Sequence, residues 1–427
     1  MDTKTLQAHI DSLTNRLPRI NQQTAYAQGY NPAILRPAPQ PSPDARIVSP
    51  NAMVCIALFK GYGASPGNIK YAGDLYDSVL KPIYDLNDEP LVSANEFEQG
   101  ARHGGMYELH WFSEEGPQFE IIPFDQGIPL WSNDIRPKLL GFIWYRKIGE
   151  SEYADYLDKD FIYRYEKIKG TWTALPEEKH GYRTVPVNCG PFQAEWKNLF
   201  DHALTLIDLK DKLLSQDVAN EGERFNAAIL VLKKRLSNAP DESGLTDADK
   251  VKMWKILDGS EDPANEAAFI TRDIPTDFIE MALKVVNEDI TKALQIIDAY
   301  DENFAGASGE AQKWRLLPMM YRFNSIKPYF LKFLQNRAKM ICGHILVNVP
   351  FEGLDITIQA DLPINQADII RSAVELSTLT SKETALAYLP ANILPNGVKA
   401  EMKLVKKSAP STGLTLDDVD DEEDTQE

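Results

Sequence analysis

Apolar side chains from Ile274 to Tyr300 fall at Ile274, Phe278, Met281, Ala282, Val285, Val286, Ile290, Ala293, Leu294, Ile297 and Tyr300. This is the i, i+3, i+4, i+7 spacing of a helix with one buried stripe, and its other face is mostly acidic. Asp273, Pro275, Thr276 and Asp277 mark the start, since a first-turn proline is tolerated and carboxylates suit the positive end of the helix dipole. The same periodicity arises in any helical bundle, so the stripe alone does not separate an assembly part from a packed core.

Asn303 to Gly309 (NFAGASG) then brings two glycines and small residues between two helical stretches, a joint at which the backbone turns cheaply. The next pattern, from about Glu310 to Leu346, is a basic helix carrying Lys313, Arg315, Arg322, Lys327, Lys332, Arg337 and Lys339, with Glu310 its one acid. Pro318 and Pro328 are expected to kink it or divide it into shorter pieces. Trp314 reads either as packing against the helix body or as a residue at the base of the loop before it. Beyond Pro350, the residues Leu354, Ile356, Ile358, Ala360 and Leu362 alternate with polar ones, the period of a half-buried strand. Thr380 and Glu383 form a capping box before a short helix through Ala385, Leu386, Tyr388 and Leu389.

Earlier in the chain a polar helical pattern precedes the proline-rich run PAILRPAPQPSPDA, read as an extended arm or linker able to clasp a neighbour. Ile47 to Pro191 reads as short strands alternating with helices, among them strands at Gly141–Arg146 and Phe161–Lys167, with Thr171–Leu175 following a Lys169-Gly170 turn. Leu199 to Asn226 reads as helix, and AILVLKKRL and AAFITR as strands around a polar loop from Ser237 to Lys250. The last stretch, LTLDDVDDEEDTQE, has the composition of a disordered acidic tail.

With 427 residues and 43% hydrophobic content, the chain is long enough for two or more packed units. Cys55, Cys189 and Cys342 are widely spaced, which argues against a disulfide framework or zinc site and suits a reducing cytoplasm. No apolar run reaches the length of a membrane span, and no secretory leader pattern opens the chain. The net charge of −18 argues against tight binding to duplex DNA, whose affinity rests on lysine and arginine neutralising phosphates.

Enzyme motifs fail one by one. HGGM at His103 resembles an esterase oxyanion motif, but around Ser308 the order Gly306, Ala307, Ser308, Gly309, Glu310 misses the G-x-S-x-G elbow by one residue. GYGASPG lacks the G-K-[ST] of a phosphate loop and the G-x-G-x-x-G of a dinucleotide site. The six histidines show no H-E-x-x-H spacing and read as surface or structural. Glu114–Glu115 and Glu177–Glu178 sit in turn contexts and read as solvated loops. The expectation is a non-enzyme with no cofactor and no metal.

Ser308, Gly309, Ala311, Lys313 and Leu316 match an S-G-x-A-x-K-x-x-L pattern, and Thr380, Ser381, Lys382, Glu383 and Thr384 match an I-S-K-E-T helix start. LIDLKDKLLSQDVANEGERFNAAILVLKKRL (206–236) fits a D-x-x-D-K-L helix followed by an L-V-L-K strand. FEQGARHGGMYELHWFSEEGPQFEIIPFDQGIPLWSND (97–134) fits a helix, glycine turn and strand pair. Taken in order, these segments resemble the portal proteins of tailed double-stranded DNA phages, in the branch common among long-tailed phages, over roughly Ser49 to Leu404.

The resemblance implies an α+β portal fold with wing, stem helices, α/β clip and helical crown, assembling as a ring. It maps onto an N-terminal helix and arm (1–48), wing (49–198), first stem helix (199–227), clip (228–273), second stem helix (274–302), tunnel loop (303–312), long kinked helix with a wing strand (313–365), crown (366–409) and acidic tail (410–427). The family's longer crowns leave this crown shorter than usual. Tunnel-loop and DNA-channel residues by this mapping are Asn303, Ser308, Gly309, Lys313 and Arg315, with Gly306 and Gly309 as hinge. Lys233, Lys234 and Arg235 are either clip contacts to partners or a solvated basic cluster. Implied partners are further copies of the chain, expected as a dodecamer, the terminase large subunit, major capsid and scaffolding proteins, a head-completion adaptor, and double-stranded DNA passing through the channel, with no membrane. The implied place is the portal vertex of the virion capsid, assembled in the host cytoplasm. Other readings are a different capsid or neck protein and, more distantly, a cytosolic hydrolase.

Overall fold

The computed structural model describes residues 1–35, 46–215, 229–232, 257–258, 267–270, 276–297, 309–359, 373–378, 380–387 and 402. The chain divides into two units, residues 1–306 with 313–361, and residues 307–312 with 362–427.

The first unit opens with α1 (Thr3–Ala27), where the Asp2 carboxylate accepts from the amides of Lys4 and Thr5 at 3.0 and 2.9 Å and so caps the exposed donors of the first turn. Leu6, Ile10, Leu13 and Ile20 put a helical stripe into the core, so the polar pattern of this segment conceals a core element. α2 (Asn51–Gly63) follows, then β1 (Ile69–Ala72), a π-helical turn Tyr76–Leu80 continuing into α3 (Lys81–Leu86), and α4 (Glu89–His103). Apart from β1, the helices of this stretch come first and most of its strands after them.

α4 stops at Gly104, whose φ of 84° is the left-handed conformation; a Cβ there would lie 2.0 Å from the Trp196 carbonyl oxygen, so only glycine fits the turn. β2 (Gly105–Ser113) then runs between β3 (Gly116–Ile121) and β10 (Val187–Pro191), antiparallel to both. A second sheet is a meander of β4 (Gly127–Trp131), β5 (Leu139–Ile148), β6 (Ser151–Leu157), β7 (Phe161–Ile168) and β8 (Thr171–Ala174), with β9 (Glu178–Lys179) also on β7. Lys169 and Gly170, at φ 51° and 84°, make the two-residue turn between β7 and β8. α1 lies on this sheet: Leu6, Ile10 and Leu13 share a core with Phe142, Ile143 and Ala154, and the Trp172 indole donates to Gln7 at 2.7 Å.

After β10, the 3₁₀ turn Asp201–Ala203 leads into α5 (Leu204–Lys212). Between α5 and α6 (Thr276–Leu294), β11 (Ile229–Leu232) pairs antiparallel with β13 (Ala267–Ile270) and parallel with β12 (Leu257–Asp258). α7 (Gly309–Gly343) is one 35-residue helix containing both Pro318 and Pro328. The expected division at these prolines does not occur. Both rings sit on the exposed side, while Leu316, Met319, Phe323, Ile326, Phe330, Phe333 and Leu334 bury a continuous stripe opposite. That burial, about 1.5–3 kcal/mol per large side chain, offsets roughly 3 kcal/mol per interior proline. β14 (Asp355–Ile358) then pairs antiparallel with β1, Ile69 facing Ile358, with the expected alternation of burial.

In the second unit the structure describes short helices at 373–378 and in α8 (Lys382–Ala387). The cap of α8 is Ser381, whose Oγ accepts from the Thr384 amide at 3.2 Å, while the Thr380 hydroxyl donates back to the Leu376 carbonyl. The capping position is therefore one residue later than the Thr380–Glu383 spacing suggested, because Thr380 is held by the preceding helix.

Candidate functional site

α5 and α6 pack side by side, and their junction with the body is built around Arg322 of α7. Its Nη1 donates to the carbonyls of Ala293 and Leu294 at 3.2 and 3.3 Å, and its Nη2 to the carbonyl of Leu199 at 2.6 Å. The two α6 carbonyls are the unpaired acceptors that every helix leaves at its C-terminus, where the dipole is negative and a cation is favoured. His202 Nε2 lies 2.7 Å from the same Ala293 oxygen, a distance that requires the proton on Nε2. Burial pulls the Arg322 pKa down, and the guanidinium also lies over the Phe59 ring at 5.9 Å. One side chain thus ties the end of α6, the approach to α5 and the long helix together.

Fifteen positions further along α7, the Arg337 side chain is fully buried among three carboxylates from the first half of the chain. Its Nε donates to Glu108 of β2 at 2.6 Å, its Nη1 to Glu89 at 2.9 Å and to the Ser93 hydroxyl at 2.7 Å, and its Nη2 to Glu96. His110 Nε2 lies 2.7 Å from the other Glu108 oxygen, and the Tyr71 hydroxyl donates to Glu89 at 2.5 Å. One guanidinium cannot balance three carboxylates. Burial, partly opposed by Arg337, raises the Glu96 pKa well above its usual value. For Glu108 burial also acts upward, but Arg337 and His110 together outweigh it and hold that carboxyl ionised. The arrangement is an electrostatic clamp with no open access, and it joins α4, β2 and α7 rather than offering a reaction centre.

These placements revise the basic helix expected from sequence. Arg322 and Arg337 are used internally, and Lys327 donates to the Ile358 carbonyl at 3.0 Å, so α7 does not present a single basic face. Trp314 is 69% exposed rather than packed on the helix body. Gly309 begins α7 and Lys313 lies within its first turns, with Arg315 exposed beyond them. Asn303, Gly306, Ser308, Lys233, Lys234, Arg235 and the acidic tail lie outside the described residues. Phe278, Met281 and Val285 of the α6 stripe are exposed, whereas Val286, Ile290 and Leu294 are buried.

The clamp escaped the sequence reading, yet a signal was present. Phe330, Phe333, Leu334, Ala338 and Ile341 define the buried stripe, and Arg337 falls in the middle of it. Among the described residues no group of His, Cys, Asp and Glu side chains is arranged to hold a metal ion, and no helix is long and apolar enough to cross a membrane.

A helix pair, a three-stranded excursion between its members and a long helix returning to a strand-rich body make up the described part of the fold. A family profile described as phage portal protein, SPP1 Gp6-like, matches residues 8–409, and the chain belongs to that family. No curated protein sequence matches the chain. Similar solved structures include a chain in the neck of an empty gene transfer agent particle, computed with C6 symmetry (11% identity, TM-score 0.39, covering 80% of this chain and 89% of that one). Another comes from the neck of the native particle, computed with C12 symmetry (10% identity, TM-score 0.40, covering 80% and 90%). A third comes from the virion of a native gene transfer agent particle (12% identity, TM-score 0.39, covering 80% and 89%).

Proposed function

We propose that the chain is one subunit of a closed ring of twelve copies at a single capsid vertex, through which the genome is packaged and later released. The family match along residues 8–409 carries this reading. In it, α5 and α6 are the stem, β11 to β13 with their connections the clip, and residues 303–312 the tunnel loop. Asn303, Ser308, Gly309, Lys313 and Arg315 face DNA, and Gly306 and Gly309 let the loop move. Lys233, Lys234 and Arg235 dock the terminase large subunit or a head-completion adaptor, while the outer body meets major capsid and scaffolding proteins. The role is mechanical, and the terminase supplies ATP hydrolysis.

The charge distribution supports a conduit rather than a grip. A chain of net charge −18 exerts no net attraction on a sliding polyanion. Native mass spectrometry with electron microscopy of the purified protein tests the reading. A ring of about a dozen subunits with a central hole is expected from the ring symmetry of such assemblies; a compact dimer that forms no ring under any condition overturns it.

A further inference from the structure

A groove of about 1150 Å³ runs along α7 between the β4–β5 loop and the approach to α5. Its walls carry Lys138, Arg183, Lys332 and Lys339 and no Asp or Glu. All four cations are exposed, and among the described residues none forms an ion pair with a carboxylate. In a chain with 63 acidic and 45 basic residues, four such cations around one groove mark a local reversal of charge. Trp131 and Trp196 meet edge to face at 6.1 Å in its wall, 37% and 36% exposed. Between the groove residues Ser132 and Lys138, the loop carries Ile135 with its side chain wholly in solvent. Arg183 also donates to Asn348 at 2.5 Å and Lys339 lies over the Phe351 ring at 5.1 Å, contacts that leave both charges unneutralised. Large aromatics, a bare isoleucine and cations without a carboxylate partner together describe an interface waiting for an acidic, partly apolar partner.

The same chain carries a surface of complementary kind at the α3–α4 corner. Asp85 and Asp88 are exposed there without an ion pair among the described residues, beside Leu86 and Leu91 at 41% and 58% exposure. Asp88 holds the left-handed conformation, φ 47°, which projects the corner between the two helices. Leu80, at the end of the π-helical turn, and Tyr84 of α3 share a buried cluster with Ala338, Ile341 and Cys342 of α7. The groove uses Lys332, Asn336, Lys339 and Gly343 of the same helix. At 3.6 residues per turn these two sets lie roughly 140° apart around α7. Corner and groove therefore face away from each other within one subunit, and joining them between copies gives a head-to-tail contact of the kind that closes into rings.

We propose that the Lys332–Lys339 groove receives the Asp85–Leu91 corner of the next copy of the chain. The inference rests on the ring reading above and adds which two faces meet and in which sense. Charge exchange in the full-length protein tests it. Lys332→Glu with Lys339→Glu, and separately Asp85→Lys with Asp88→Lys, change only exposed side chains, and circular dichroism checks that each variant stays folded. Each pair alone is expected to weaken ring formation at least about tenfold, and combining all four substitutions to restore it.

In parallel, zero-length carbodiimide cross-linking of rings assembled from light and isotopically heavy protein should yield mixed links from Lys332 or Lys339 to Asp85 or Asp88. Rings that form with mixed links elsewhere overturn the inference and leave the ring reading standing. Protein that never associates overturns both. Protection of Lys332 and Lys339 by duplex DNA, without copy-to-copy links, also overturns it and assigns the groove to a polyanion.

Discussion

Arg337 Nε and Glu108 Oε2 meet at 2.6 Å across 229 residues of chain, both fully buried. The whole excursion through β10, α5, the three short strands, α6 and the start of α7 lies between them. This ion pair makes the body's integrity depend on the chain having returned correctly from the α5–α6 excursion.

Replacing Arg337 by Met should therefore cost about 3–5 kcal/mol, because it leaves buried carboxyl groups, Glu108 above all, without their cation rather than removing a balanced pair. Urea unfolding followed by tryptophan fluorescence measures it. A combined change of Arg337, Glu89, Glu96 and Glu108 to apolar residues of similar size should recover much of the loss.

Glu96 gives a pH signature. Its pKa is raised in the folded chain, chiefly by burial, so folding retains a proton that the unfolded chain releases above about its ordinary value of 4.5. This contribution is full below that value and fades as pH climbs toward the folded pKa. Glu96→Gln should flatten the alkaline side of the stability profile. Glu108→Gln should act on the acid side, since the lowered pKa of Glu108 gives stability that is lost as pH falls.

His103 should make the body acid-sensitive. It stacks on Phe124 with ring centroids 5.1 Å apart, and burial first, the Arg102 charge second, bring its pKa down to about 3 from 6.5. Its contribution is present above 6.5 and is lost as pH falls toward 3. His103→Phe keeps the stacking and should reduce that loss, read as a smaller shift of the urea midpoint between neutral and acid pH.

Arg322→Met should loosen the α5–α6 pair without unfolding the body. Hydrogen bonds from a charged donor are worth about 1.5–3 kcal/mol each, and three carbonyls lose theirs. Hydrogen exchange should accelerate at the end of α6 and the start of α5 while amides of β5 to β7 keep their protection.

Replacing Gly306 and Gly309 by Pro or Val should leave ring assembly intact and lower the yield of packaged DNA, if the tunnel loop must move. Normal yield in a packaging assay would remove the moving-loop proposal.

The sequence made elements and family legible better than it made sites legible. The alternation before Ile358, the Lys169-Gly170 turn and the stripe of α6 are local patterns, and the structure carries a strand, a hairpin turn and a helix there. What escaped was long-range. Arg322 and Arg337 read as part of one basic helix because their partners are carbonyls and carboxylates at least 28 and 229 residues away. Pro318 and Pro328 suggested breaks because local propensity cannot weigh a buried stripe against a missing backbone bond. Thr380 lost the cap of α8 to Ser381 because the preceding helix engages its hydroxyl.

Arg322 and Arg337 sit on one unbroken helix, roughly 22 Å apart along its axis at 1.5 Å per residue. α7 is thus a strut pinned at two points, to the end of α6 and the approach to α5 at one and to the heart of the body at the other. A load on the α5–α6 pair would pass through Arg322 into that strut and be resisted by the buried charges around Arg337. Compliance must then come from the segments on either side of the strut, and the region between the two pins should behave as a rigid bearing.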